Sequence, residues 1–208
     1  IGFCLVGSEM CIRDSLSPYS NYWCNDMVVD KSGGAYIGNF GFNRHAGDKP
    51  KPTTLVRVAP NGKVSIAAED LWFPNGAVIT PDNSTLIIAE TRASRLTAFD
   101  ILQNGELKNR RVFAETSNMY PDGICLDEEG AIWVADPKNK EVIRIKEGGE
   151  ITDKLELETR GAYACMLGGN DGKTLFICTN TGSGPDIANQ RAGRIETTRV
   201  KIAKAGRP

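Results

Sequence analysis

A repeated unit constrains the fold of this chain more than any other feature of its sequence. Each unit contains a short apolar run, a turn rich in Asp, Gly or Asn, and a second apolar run. The units start at residues 25, 75, 122 and 164, so they are spaced by 50, 47 and 42 residues. Paired short runs at this spacing are typical of β-propeller blades, which bury their faces only by stacking around a channel.

Helical repeats of similar length are the alternative. Turn residues interrupt each apolar run after about six residues, and no segment keeps the 3.6-residue apolar spacing of an amphipathic helix. The sequence therefore predicts an all-β chain of four blades, with limits near 16–67, 68–115, 116–160 and 161–208. Propellers have roughly four to eight blades, so a complete four-bladed ring is an alternative. We favour an incomplete propeller, because the first blade begins abruptly.

The first fifteen residues, IGFCLVGSEMCIRDS, lack the alternation and turn chemistry of the remaining sequence. This string resembles translated sequencing-adapter read-through, so we interpret residues 1–15 as a non-native leader. The alternative is an ordinary edge strand over residues 1–6. We expect residues 16–208 to be the C-terminal four blades of a longer propeller.

Composition and charge narrow the possible partners. The formal net charge is −1 and basic residues are interspersed with acidic ones, so we expect neither nucleic acid nor a membrane as partner. No stretch has the length of a transmembrane helix or the pattern of a signal peptide. The six cysteines include no CxxC pair, which argues against thiolate-bound zinc. We predict a cytoplasmic protein that binds a small molecule; these features do not determine its oligomeric state.

Three of the four units open with a polar residue at the same point. These residues are Asn25, Asn75 and Asp122. Because equivalent positions of a radial fold face one axis, we expect two amides and a carboxylate in one small space. Such oxygen ligands suit a hard divalent cation. Asn-Gly and Asp-Gly are also common hairpin turns, but their recurrence in register favours a site.

A second set of aspartates recurs as regularly and has a different interpretation. Each follows the first apolar run and is close to Gly or Asn; the four are Asp30, Asp82, Asp127 and Asp171. Asp in this context is typical of turns between strands. We predict that these four residues are structural.

Longer segments carry a resemblance to a known family. They are NDMVVD at 25–30, YIGNFGF at 36–42, FPNGAVITPD at 73–82, LIIAETRASRLTAFD at 86–100, PDGICLDEEGAIWVAD at 121–136 and ACMLGGNDGKTLFICT at 164–179. From about Leu16 onward, the chain resembles the gluconolactonase family of six-bladed propellers, also called the regucalcin or senescence-marker-protein family. The resemblance implies a lactonase-type carboxylic ester hydrolase with one divalent cation at a mouth of the channel. Calcium is expected first, with zinc, manganese or magnesium as alternatives.

The resemblance also implies roles for single residues. Asn75 matches the family's amide ligand, Asp122 its carboxylate ligand, and Asn25 the asparagine that reaches the metal directly or through substrate and water. The family's first-blade glutamate, in a Glu-Gly-Pro context, is absent from this chain, and Glu9 is not a substitute. Asp122 is the catalytic candidate, because a carboxylate can hold a metal and accept a proton.

Two further residues are candidates for substrate binding. Trp23 stands two positions before Asn25, where sugar-lactone-hydrolysing relatives often have an arginine. Its aromatic face favours stacking on a ring over an ionic contact. His45, the single histidine, lies in a loop suited to covering the channel mouth, although an exposed loop histidine is the simpler interpretation. With one histidine and no GxSxG segment, the sequence argues against a Ser-His-Asp triad.

The predicted function is metal-dependent hydrolysis of a sugar lactone or related small cyclic ester. Because the first-blade glutamate is absent, we expect residues 1–208 by themselves to be inactive or nearly so. Two other functions stay open: a propeller that serves as an interaction platform, and a calcium-binding protein without catalysis.

Overall fold

The computed structural model describes residues 16–206, except residues 21, 185, 186 and 188 and the side chain of His45. The predicted leader, residues 1–15, lies outside the described residues, so its interpretation stays a prediction. The named elements of the described part are fifteen strands and one short 3-10 turn, Arg44–Ala46. The all-β prediction is confirmed. None of the helices in this part of the chain is long or apolar enough to cross a membrane.

The strands form four antiparallel sheets. The first contains β1 (Cys24–Val29), β2 (Ala35–Asn39), β3 (Thr53–Val58) and β4 (Val64–Leu71). The second contains β5 (Pro74–Ile79), β6 (Thr85–Glu90), β7 (Arg95–Ile101) and β8 (Leu107–Glu115). The third contains β9 (Ile124–Leu126), β10 (Ile132–Asp136), β11 (Glu141–Ile145) and β12 (Ile151–Glu156), and the fourth β13 (Gly161–Gly168), β14 (Thr174–Asn180) and β15 (Arg194–Arg199). Consecutive strands are hydrogen-bonded neighbours in every sheet, which is the meander of a propeller blade.

One predicted limit between blades is wrong. The first sheet continues to Leu71, beyond the predicted limit at residue 67. The reason is that β4 stays paired with β3 as far as the Thr53 and Leu71 pair, and register shifts within this pairing accommodate the extra length. The second sheet therefore begins at Pro74.

The chain divides into two compact units, Ile1–Pro74 and Asn75–Pro208. The first unit contains the first sheet, where Leu16 packs with Ile37 of β2 and Val56 of β3. The second unit contains the other three sheets. One apolar core joins the second sheet to the third, and another joins the third to the fourth. Stacking of consecutive sheets thus supplies the core of the second unit.

Strand β10 illustrates why the sequence of a stacked blade is apolar without alternation. Ile132 and Val134 belong to the core shared with the second sheet, whereas Trp133 and Ala135 belong to the core shared with the fourth. Alternate side chains of a strand point to opposite faces. Because both faces are covered, every residue of β10 is buried, including Asp136 at its end.

The recurrent turn aspartates have the structural role predicted for them. Each accepts a hydrogen bond from the backbone N–H two residues later: Asp30 from Ser32 (2.8 Å), Asp82 from Ser84 (3.1 Å), Asp127 from Glu129 (3.0 Å) and Asp171 from Lys173 (3.1 Å). Three of them also bond to an arginine on the third strand of the same sheet: Arg57, Arg144 and Arg199. The aspartates therefore close the first turn of each blade and connect it to a neighbouring strand.

Candidate functional site

The opening residues of the second, third and fourth blades lie side by side in the second unit. The Gly76 N–H donates to the carbonyl oxygen of Asp122 (3.1 Å), and the Gly123 N–H donates to the carbonyl oxygen of Tyr163 (3.0 Å). Each donor follows the opening residue of its own blade. Asn75, Asp122 and Tyr163 therefore occupy equivalent positions in three consecutive blades. The backbones of Asn75 and Asp122 thus lie in adjacent blades, and Tyr163, which sequence reasoning missed, has the equivalent place in the next blade.

Glycine is required after the opening residue because the innermost strands approach closely. A Cβ at Gly76 would lie 2.6 Å from both the Asp122 carbonyl oxygen and the Ile124 nitrogen. A Cβ at Gly123 would lie 2.7 Å from the Cα of Ala164. Neither glycine has a positive φ, so neither belongs to the hairpin turn that an Asn-Gly or Asp-Gly pair usually forms. The hairpin alternative for these two pairs is thus wrong.

The backbone around Asp122 departs from regular strand pairing. The Asp122 N–H donates to the carbonyl oxygen of Ala135 (2.9 Å), while the Ala135 N–H donates to the carbonyl oxygen of Gly123 (3.0 Å). Asp122 and Gly123 thus lie opposite the single residue Ala135, which is the arrangement of a β-bulge. A bulge redirects the side chain of the extra residue. The half-buried Asp122 side chain therefore need not follow the alternation of side chains between the two faces of β9.

Similar irregularities occur at the equivalent positions of two other blades. The pairing register of β1 with β2 and of β13 with β14 shifts between Cys24 and Met27 and between Ala162 and Ala164. Asn25 lies within the first of these stretches and Tyr163 within the second. Irregular strand pairing therefore recurs at the opening position of a blade, and β-bulges are over-represented next to active sites.

Thr91 connects Asn75 to the residue that precedes Asp122. Asn75 is buried, and its Nδ2 donates to Thr91 Oγ1 (3.1 Å). Thr91 Oγ1 in turn donates to the carbonyl oxygen of Pro121 (2.7 Å), the residue before Asp122. Sequence reasoning missed Thr91, since no local pattern relates it to residues 75 and 121.

The segment before Asp122 is also anchored to the third sheet. The Tyr120 N–H donates to Asp136 Oδ2 (3.0 Å), and the Asp136 carboxylate is fully buried. Lys138 Nζ donates to the Tyr120 hydroxyl (2.8 Å), and this bond and the lysine's charge lower the pKa of Tyr120. Hydrogen bonds to both the backbone and the side chain of Tyr120 thus fix the segment that precedes Asp122.

The residues predicted for substrate binding belong to the first unit. Asn25 lies half-buried in β1, and Trp23 directly precedes that strand with 55% of its surface exposed. His45 lies in the 3-10 turn, and its side chain is outside the described part. Because Asn25 and the pair Asn75 and Asp122 belong to different units, their convergence stays a prediction.

Trp23 is part of an aromatic cluster that sequence reasoning did not identify. Its ring stacks on Tyr22 with centroids 4.9 Å apart, and the Tyr22 ring lies 6.3 Å from Phe40. Phe40 stacks on Phe73 at 4.8 Å. Phe73 has a φ of 58°, which is unusual for a bulky residue. Four rings from three segments thus form one apolar surface in the first unit, with the exposed face of Trp23 at its edge.

The chemistry of the donors fits a hard cation. Asn75 offers an amide oxygen and Asp122 a carboxylate, so the set contains oxygen alone. Calcium takes six to eight oxygen ligands, of which waters and substrate oxygens can supply several. Among the described residues, no group of three or more His, Cys, Asp or Glu side chains is placed to hold a metal. The pair therefore fits a calcium or magnesium ion better than a metal that prefers nitrogen or sulfur.

Comparison with known proteins places the chain in a family. Residues 10–181 match the family described as SMP-30/Gluconolactonase/LRE-like region. The 6-deoxy-6-sulfogluconolactonase of Pseudomonas putida is 28% identical over 160 residues, which cover 74% of this chain and 55% of that protein. The chain spans little more than half the length of the curated relatives it matches.

Solved structures support the same assignment. Regucalcin from Agrobacterium tumefaciens, described as a calcium-binding protein, superimposes with a TM-score of 0.70 at 26% identity, over 88% of this chain and 62% of that chain. A gluconolactonase from Xanthomonas campestris superimposes with a TM-score of 0.60 at 28% identity, over 74% of this chain and 53% of that chain. The predicted propeller class is confirmed. The chain belongs to the SMP-30/gluconolactonase/LRE-like family, and its four sheets are blades of that family's β-propeller fold.

Proposed function

We propose that the protein hydrolyses a lactone with a divalent cation held by Asn75 and Asp122. The observation that carries this proposal is the hydrogen bond from Gly76 to Asp122, which brings an amide and a carboxylate to equivalent positions of adjacent blades. Relatives named as a sulfogluconolactonase and a gluconolactonase support the reaction class. They also support a small-molecule substrate. A calcium ion is the first choice, because the regucalcin relative is described as calcium-binding.

Asp122 and Asn75 have different roles in the proposed reaction. A bound cation would polarise the lactone carbonyl and stabilise negative charge on its oxygen. Asp122 has two carboxylate oxygens, so one can serve as a ligand while the other accepts a proton from the attacking water. Water adds to the carbonyl carbon, the bond from that carbon to the ring oxygen breaks, and the ring oxygen takes up a proton. Asn75 cannot accept a proton at neutral pH and is a ligand alone.

Trp23, Asn25 and His45 are proposed for substrate binding. The exposed ring of Trp23 offers a face on which a sugar lactone can stack. Asn25 offers an amide that can bond to substrate hydroxyls or reach the cation, and His45 is proposed for the loop above the substrate. The absence of an arginine at position 23 favours substrates without a negatively charged group.

The proposed donors also limit the activity of residues 1–208 by themselves. Asn25 and Asn75 are neutral, so Asp122 brings one negative charge toward a doubly charged ion. Affinity for calcium rises with the number of charged ligands. We therefore propose that this stretch alone holds calcium weakly and hydrolyses lactones poorly. The cytoplasmic location, and the absence of nucleic-acid and membrane partners, stay predictions from the sequence.

The test is a single substitution in the protein expressed from its complete gene. Asp122→Asn keeps the size of the side chain but removes its charge and its proton acceptor, so kcat/KM for a responsive lactone should fall at least about 100-fold. The control is Asp82→Asn, which changes an exposed turn aspartate of the second blade and should leave the rate unchanged. Hydrolysis by the Asp122→Asn protein at the wild-type rate would refute the proposal.

A calcium-binding protein without catalysis is the second candidate function. The description of the regucalcin relative as a calcium-binding protein favours it. The two functions differ in one measurement, the rate of hydrolysis of a panel of aliphatic and sugar lactones with and without calcium. Binding of calcium without any calcium-dependent hydrolysis would support the second candidate. A propeller that serves only as an interaction platform would show neither.

A further inference from the structure

Thr91 lies between the two blades that carry the proposed ligands. It directly follows β6, and its Oγ1 is 3.1 Å from Asn75 Nδ2 and 2.7 Å from the Pro121 carbonyl oxygen. We propose that Thr91 is a positioning residue that sets the orientation of the Asn75 amide, so that Oδ1 rather than Nδ2 is available to a cation. This inference rests on the proposed function and deepens it.

The two partners of Thr91 determine which atom donates and which accepts in each of its hydrogen bonds. A carbonyl oxygen can only accept, so the single hydroxyl hydrogen of Thr91 is committed to Pro121. Thr91 can then only accept from Asn75, and the atom that faces it must be the amide nitrogen. Because the amide nitrogen and oxygen branch from one carbon, Asn75 Oδ1 is directed away from Thr91. The opposite orientation would place two acceptors against each other.

Burial makes this orientation consequential. Asn75 is only 4% exposed, so bulk water cannot stabilise an alternative orientation, and buried polar groups keep the partners that the protein provides. A cation binds the oxygen of an amide and is repelled by its NH₂ group. Thr91 therefore selects the orientation of Asn75 that can act as a ligand before any cation arrives.

The third blade, which carries Asp122, has no hydroxyl at the place that Thr91 occupies in the second. In the third blade, the residue that follows the second strand is Pro137, which has no side-chain donor. That blade still packs closely on the next one, since a Cβ at Gly161 would lie 2.5 Å from the Pro137 carbonyl oxygen. Close packing of blades thus does not need a threonine at this position, which favours a role at the site over a general structural one.

The test measures calcium affinity by isothermal titration calorimetry, with the protein expressed from its complete gene. Thr91→Val keeps the shape of the side chain but removes the hydroxyl, and it should weaken calcium binding about tenfold, the factor that corresponds to one hydrogen bond. Thr91→Ser restores the hydroxyl and should bind within about threefold of wild type. Thr97→Val is the control, because Thr97 is buried in the same sheet and bonds to Glu90 instead. Thr97→Val should lower the unfolding midpoint without changing calcium affinity.

A double-mutant cycle separates orientation from a structural role. Asp at position 75 presents an oxygen in either orientation, so the effect of Thr91→Val on calcium affinity should fall below about threefold in an Asn75→Asp background. An undiminished effect would show that Thr91 maintains structure only, and would overturn the inference. Wild-type affinity in a folded Thr91→Val protein would also overturn it. If Thr91→Val fails to fold, Thr91→Ser and Thr91→Ala are compared instead. The inference is overturned if both substitutions weaken calcium binding by the same factor. These results leave the proposed function standing, whereas a wild-type protein that binds no calcium overturns both.

Discussion

Gly76→Ala tests the close contact that places Asn75 beside Asp122. The added Cβ would lie 2.6 Å from two backbone atoms, the Asp122 carbonyl oxygen and the Ile124 nitrogen, and neither can rotate away as a flexible side chain could. Overpacking of this kind costs about 1–3 kcal/mol. Loss of the bond from Gly76 to Asp122 adds about 1 kcal/mol. The lower entropy of an unfolded chain with alanine offsets about 0.4–1 kcal/mol. We expect a net loss of about 2 kcal/mol in the free energy of unfolding.

The assay is equilibrium unfolding in urea, followed by calcium titration of the folded protein. Gly193→Ala is the matched control, because a Cβ at Gly193 would meet no atom within 4 Å and its φ is not positive. Its free energy of unfolding should change by less than about 0.5 kcal/mol. Gly76→Ala should also weaken calcium binding, since Asp122 must shift to accommodate the methyl group. A Gly76→Ala protein as stable as wild type would refute the close contact and the placement of the two ligands derived from it.

Three further predictions address the turn aspartates and the aromatic cluster. Asp127→Ala removes the 2.6 Å partner of the buried Arg144 and leaves it the exposed Glu129, so the free energy of unfolding in urea should fall by about 3 kcal/mol, the lower end for a broken buried pair. Asp171→Ala breaks an exposed pair of the same type and should change the unfolding midpoint little. Burial opposes ionisation of Asp30, but its hydrogen bonds outweigh this and lower its pKa. The stability that ionised Asp30 provides is therefore present above the unfolded pKa of about 3.9, and it is lost as the pH falls through the lower pKa of the folded state. The loss of unfolding free energy caused by Asp30→Asn should accordingly shrink below the folded-state pKa. A loss that does not vary with pH would contradict the lowered pKa. Trp23→Ala should raise KM for a sugar lactone several-fold without changing calcium affinity, and an unchanged KM would exclude stacking on this ring.

The blade architecture could be predicted because it repeats in the sequence. Each blade needs two adjacent strands and a turn, and each turn aspartate closes a loop of a few residues, as Asp127 does with Glu129. Such local interactions leave a signature that a single sequence displays. The limit near residue 67 was wrong because the extra length of β4 depends on its partner strand β3, and no local pattern records where that pairing ends.

The contacts around the site could be predicted only in part. The recurrence of Asn75 and Asp122 indicated equivalent positions, but the glycine after each also matched a hairpin turn. Local statistics cannot distinguish a glycine that permits a turn from one that permits close approach, since both need the absence of a Cβ. Thr91 contacts residues at separations of 16 and 30 positions. Tyr163 was missed because an aromatic residue does not continue the series Asn25, Asn75 and Asp122, so the fourth unit was placed one residue late, at 164.

A structure of the calcium-bound protein tests the central claim most directly. Crystals of the protein expressed from its complete gene, grown with calcium, would locate the ion by its electron density and anomalous signal. We predict an ion about 2.3–2.6 Å from Asn75 Oδ1 and from a carboxylate oxygen of Asp122, with Asn25 facing the same space. An ion bound elsewhere, or an Asn75 amide that turns its nitrogen toward the ion, would contradict it.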